Sequence, residues 1–167
     1  TGMAIEILIV IFVGLVAAAA LSDAVRFIIP NWLCGIIALA FPVAAFAAGF
    51  SWPLFGFHIL AGFLGLLIGF ALFAPGWIGG GDAKMFAAVA VWMGWESLFP
   101  FLLHTVVAGG VLVLVLLLLR HGAPLMRIPS GWTSETALEK GAPVPYGIAI
   151  AAGVFWTLPA TPIFSAF

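Results

Sequence analysis

The chain contains two aspartates, Asp23 and Asp82. A carboxylate pair can activate water for hydrolysis. The ionised member takes a proton from water, while the protonated member polarises a carbonyl and later protonates the leaving nitrogen. Held close, two such acids cannot both ionise easily, so they share a proton as one coupled unit. Asp82 stands in Ile78–Gly79–Gly80–Gly81–Asp82–Ala83–Lys84, between two apolar runs. Charge beside a bilayer is costly and glycine weakens a helix, so this stretch needs a compensating use. Gly79, Gly80 and Gly81 open backbone angles closed to other residues and let a second backbone approach. That suits an extended peptide substrate. Asp82 opens a helix, where the macrodipole favours an anion, and Lys84 follows two residues later. Asp23 closes a helix, where an anion is disfavoured. This places the charge on Asp82 and the shared proton on Asp23, unless Arg26 approaches Asp23 and reverses the order. The plainer alternative is that both acids mark helix ends, with Asp82 a simple cap.

The composition says what kind of scaffold must position them. Of 167 residues, 65% are hydrophobic and 7% charged, and the mean hydropathy is +1.33. A soluble domain carries about 25% charged residues. The expected fold class is therefore all-α, a polytopic membrane protein with about six transmembrane helices. The spans read as Ala4 to Leu21, Trp32 to Gly49 with a bend at Pro42, Leu54 to Phe73, Asp82 to Gly94, Leu98 to Leu119, and Val144 to Leu158. The fourth and sixth are short against the roughly 20 residues a span needs. No Lys or Arg precedes the first run, so it reads as a permanent helix and not a cleaved signal. Thr1 and Gly2 read as a cloning scar, and residues 1–167 as one domain.

The basic residues orient the bundle. Arg26 lies between spans one and two, and Lys84 between three and four. Arg120, Arg127 and Lys140 lie between five and six. All five fall on one side, which the positive-inside rule makes cytoplasmic. Both termini then face outward, and Asp23 and Asp82 reach the same depth at the cytoplasmic boundary. The polar stretch 120–142 is a cytoplasmic loop, either a solvated connector or a substrate contact. Thr136 and Glu139 have the spacing of a capping box there.

Several function classes drop out. A net charge of −1 with no basic patch gives no reason to expect nucleic acid. Cys34, the one cysteine, allows no internal disulfide and no cysteine-rich zinc site. His58, His104 and His121 are isolated, without metal-ligand spacing. No metal and no cofactor is expected. Glu6 and Glu96 fall on the outward side as interfacial residues. Gly65 and Gly69 form a G-x-x-x-G that packs helices closely or forms a dimer face. Trp32, Trp52, Trp77 and Trp95 lie near span ends, as an interfacial belt requires.

The motifs resemble those of a known family. Gly79-Gly80-Gly81-Asp82 with Lys84 reads as G-x-G-D-x-K. Asp23 is followed by Ile29-Pro30-Asn31, and Val144-Pro145-Tyr146-Gly147-Ile148 stands near the end. Together they are similar to the prepilin peptidases, membrane aspartic proteases of the bacterial inner membrane. The short length resembles the form that accompanies Flp, or tight-adherence, pili. The resemblance implies Asp23 and Asp82 as the catalytic pair. It also implies supporting roles for Gly79, Gly80, Gly81, Lys84, Pro30, Asn31, Pro145, Tyr146 and Gly147. Lys84 either tunes Asp82 or anchors the helix end, and Tyr146 either lines the site or sits at the interface. The implied partners are membrane lipid and a prepilin or pilin-like peptide, cut just after a glycine at the cytoplasmic membrane face. The chain lacks the cysteine-rich insert of larger relatives, so peptidase activity without methylation is expected. The segment after Asp23, AVRFII, has one basic residue where relatives often have several. The competing reading is a small transporter or channel subunit with interfacial acids, although no matched helix interruption appears in the two halves. A third is a structural assembly protein, which leaves the shared depth of the two aspartates unexplained.

Overall fold

The structure is a computed structural model and describes residues 2–125, 136–139 and 141–165. Among these residues there are five helices and no strand. They are α1 (Gly2–Arg26), α2 (Asn31–Ala47), α3 (Trp52–Phe73), α4 (Gly80–Leu125) and α5 (Tyr146–Thr157), with a 3-10 turn at Leu158–Ala160. Three stretches are long and apolar enough to cross a membrane: Met3–Arg26, Trp52–Phe73 and Gly80–Gly122. The chain is an all-α membrane protein. Large apolar side chains such as Val10, Leu39, Phe70 and Leu118 stay exposed on its outside, as lipid-facing positions do.

α4 is two helical arms. Gly94, at φ 74° and ψ 175°, breaks it. Few residues other than glycine adopt that backbone. The sequence expects a gap from Gly94 to Leu98, but the turn is made at Gly94 alone. The arm 80–93 is the centre of the molecule, with Met85, Val89, Ala90, Trp92 and Met93 fully buried. A helix apolar on every side belongs inside a bundle. The arm 95–125 lies outside, with Val106, Val111 and Leu114 exposed.

Small residues let α3 approach this central arm. A Cβ added at Gly62 would overlap Val91, one at Gly65 would meet Ala90 at 2.7 Å, and one at Gly69 the Ala83 carbonyl at 2.9 Å. The G-x-x-x-G of α3 thus packs within the bundle. α1 contributes a stripe at Ile5, Ile9, Phe12, Val16 and Ala19, all buried. Phe12 stacks on Trp92 at 4.2 Å, and the Trp92 indole donates to the Ile37 carbonyl of α2 at 2.7 Å. The next position on the stripe is Asp23, also buried.

The break in α4 is pinned by a histidine. His58 Nδ1 donates to the Val91 carbonyl at 2.7 Å. A carbonyl only accepts, so Nδ1 carries the hydrogen. The ring stacks on Phe41 at 4.9 Å and lies under Gly94, whose added Cβ would fall 2.6 Å from it. His58→Ala should cost about 1–3 kcal/mol, since it opens a cavity and leaves a buried carbonyl unpaired. His58→Gln, with a donor that can reach the carbonyl, should recover part of that. Thermal melting followed by tryptophan fluorescence in detergent checks both.

The helix ends that matter gather on one side. Phe27 N–H bonds the Asp23 carbonyl at 2.8 Å with φ 54°, which closes α1 in a left-handed turn. The sequence ends this helix near Leu21, five residues early. The expected 120–142 loop starts too early, because α4 continues through Arg120 to Leu125; further on, Thr136 accepts from the Leu138 N–H through Oγ1 at 3.2 Å and from the Glu139 N–H through its carbonyl at 3.1 Å. That is a turn, not a helix. Arg127 and Lys140 lie outside the described residues.

Candidate active site

Three helix ends bring the two aspartates together. Asp23 lies in the last turn of α1, and Asp82 in the first turn of the central arm. Gly147 lies in the first turn of α5. The Gly147 N–H donates to Asp23 Oδ2 at 2.7 Å. Asp82 Oδ2 accepts from the Gly79 N–H at 3.1 Å, while its Oδ1 is buried without a partner. A cavity of about 330 Å³ is walled by both acids, Phe27, Ile29, Asn31 and the three glycines 79–81. A buried carboxylate oxygen with no protein partner is costly unless water or a ligand reaches it.

This geometry differs from the helix-dipole expectation. There, Asp82 was the better-supported anion. In the structure Asp23 takes the shorter backbone N–H, from a residue far along the chain that a dipole argument does not consider. Asp82 is the acid left with an open oxygen.

The glycines act through size. None of Gly79, Gly80 and Gly81 has a positive φ, contrary to the expected special backbone angles. A Cβ at Gly79 would sit 2.8 Å from Asp82 Oδ2, and one at Gly81 would sit 3.1 Å from Ile29 Cβ. One at Gly80 would meet the Phe73 ring at 3.4 Å. Close approach is the need at Gly79 and Gly81.

The other expected residues fall around this core. Pro30 precedes α2, and its carbonyl accepts from the Leu33 N–H at 3.0 Å. Lys84 Nζ donates to Asn31 Oδ1 at 2.9 Å, so it ties the start of the central arm to the start of α2. Of its two expected roles, this is the anchor. Pro145 precedes α5 and is buried. Tyr146 lines a second cavity that shares Asp82. The structure thus gathers every expected residue near one end of the bundle.

Three residues there have no expected role at the site, Ile29 among them although it belongs to the Ile29-Pro30-Asn31 motif. Ile29 is buried and separates Gly81 from Gly147, 3.1 Å and 3.2 Å from their would-be Cβ positions. Phe27 forms a cavity wall. Arg120 donates from Nε to the Ala137 carbonyl and from Nη2 to the Ala142 carbonyl, both at 2.9 Å. It straps down the segment that delivers Pro145 and Gly147. In the sequence Arg120 serves only to mark a membrane side, and nothing there separates an anchoring cation from a topological one.

The family model for the type IV leader peptidase family matches residues 10–114, a stretch that holds both aspartates but not Gly147. No curated protein and no solved structure matches the chain.

Proposed function

The chain belongs to the type IV leader peptidase family, and from that premise we propose that it is an aspartic endopeptidase of the bacterial inner membrane. Its substrate is the leader of a Flp-type prepilin, and Asp23 and Asp82 do the chemistry. The observation that carries the reading is the shared cavity, which has both acids in its wall. Water held between the carboxylates loses a proton to the ionised acid and attacks the scissile carbonyl. The protonated acid donates to the carbonyl oxygen, and the tetrahedral intermediate collapses with a proton passed to the leaving nitrogen. The Oδ1 of Asp82, buried without a protein partner, is the carboxylate atom that water or substrate would satisfy. The gathering of all five basic residues on one side supports a cytoplasmic-face site, with the termini outward. That face is where a basic leader meets the apolar helix of its pilin. The absence of a cysteine-rich insert supports cleavage without methylation.

The test is co-expression with a leader-bearing Flp-type prepilin. A shorter pilin should appear on a gel, and mass spectrometry should place its new N-terminus just after a glycine. Prepilin that stays whole beside a correctly inserted chain overturns the proposal. Cysteine labelling at Ser22 and Ala83 checks the depth of the pair.

A further inference from the structure

The reading above leaves one cavity beside the pair unused. It measures about 380 Å³, and Asp82 belongs to its wall as well as to the wall of the cavity with Asp23. Along the outer arm of α4 its wall is Leu102, Thr105, Val106, Gly109, Gly110 and Val113, with the Thr105 hydroxyl buried and unpartnered. That spacing is one helix face over three turns, roughly 16 Å long. Leu72 of α3 and Tyr146 of α5 close the other side. Exposed Val106 and Leu114 flank it, so the groove opens toward lipid.

Gly109 and Gly110 are not explained by packing. Neither has a positive φ. A Cβ at Gly110 would meet nothing within 4 Å, and one at Gly109 would make only ordinary contact, nearest at 3.6 Å from Ala149. Alanine fits at both positions, and glycine inside a helix is unfavourable. The crowded glycines elsewhere, Gly62, Gly69 and Gly147, have steric reasons. What this pair does is leave the groove open.

The occupant must be mainly apolar, enter from the membrane and reach Asp82. A phospholipid meets the first two conditions but would set its anionic phosphate beside the two carboxylates, where like charges repel. A peptide meets all three, if it is extended on one side of a bond and apolar and membrane-embedded on the other. We propose that this groove seats the apolar segment that follows the scissile bond, and that Gly109 and Gly110 hold it open. The inference rests on the peptidase reading and adds the residues that set specificity.

The experiment compares Gly110→Leu with Gly14→Leu in the full chain in liposomes, using a complete prepilin. Gly14 is also exposed, and a Cβ there would meet nothing within 4 Å. Gly110→Leu should lower kcat/KM by about tenfold or more, largely through KM, and Gly14→Leu by less than about twofold. Both should melt like the wild type. A photo-crosslinking phenylalanine at Val106, which lies further into the membrane along the same wall than Gly109 and Val113, in the Asp82→Asn chain should capture pilin residues after the bond. Wild-type cleavage by Gly110→Leu, or capture of the leader or of lipid alone, overturns the groove and leaves the aspartate chemistry standing. A wild-type chain that leaves the prepilin whole overturns both.

Discussion

Asparagine in place of either Asp23 or Asp82 should lower leader cleavage by at least about a thousandfold. Each acid has a separate duty in the proposed reaction, and an amide can neither accept nor deliver the proton. The change is nearly isosteric. At position 23 an amide oxygen still accepts the Gly147 N–H, which now bonds Oδ2 at 2.7 Å. The bundle should therefore insert and melt as before. The double variant should be no slower than the slower single one, because losing either acid already disables the unit. Cleavage in liposomes, followed by gel shift over long times, measures all three. If both single variants still cut, the aspartates only anchor helix ends. The transporter reading would then regain ground. If one variant cuts and the other does not, a single general base is at work and the paired mechanism falls.

The fold class was legible because a bilayer demands long apolar helices, and composition reports them directly. The helix order was legible for the same reason, as was the end of the short fourth span at Gly94. Which side of each helix faces inward was not. Ile5, Ile9, Phe12, Val16, Ala19 and Asp23 form one buried stripe, yet exposed Val10 and Ile11 are equally apolar. In water the outside of a helix is marked by polarity; in lipid it is not. The small residues of α3 were the better signal. The end of α1 was missed for a different reason. The left-handed position that closes a helix is usually glycine, and here it is Phe27.

At the site, residue types were legible and their contacts were not. The two acids are the chain's only aspartates, and the expected order of spans puts both at the same end of the bundle. What holds Asp23 in place is Gly147, more than sixty residues beyond Asp82 in the chain. No local pattern predicts that its N–H would bond a carboxylate so far back in the chain. Lys84 shows the same limit. Its nearness in sequence to Asp82 suggested a tuning charge, but its bond is to Asn31. A helix carries residues two apart to different faces, so Lys84 points away from the acid it follows.

Gly147→Ala should therefore lower kcat by about a hundredfold with little change in melting, and Gly147→Val should do worse. An added Cβ would lie 2.9 Å from Asp23 Oδ2, 3.0 Å from Asp23 Cβ and 3.2 Å from Ile29 Cδ1. The oxygen cannot simply retreat, because the N–H of the same residue holds it. Either the start of α5 shifts or the Asp23 side chain turns. Both outcomes disturb the spacing of the two acids, and a misplacement near 1 Å can cost about a hundredfold. Substrate grip in the groove is largely separate, so KM should move less than kcat. Steady-state cleavage beside a melting curve separates this from a folding defect. A Gly147→Ala chain that cuts at the wild-type rate would mean the N–H contact does not organise the pair. The aspartates would then need another element to set their spacing, and the segment strapped down by Arg120 would have no catalytic purpose.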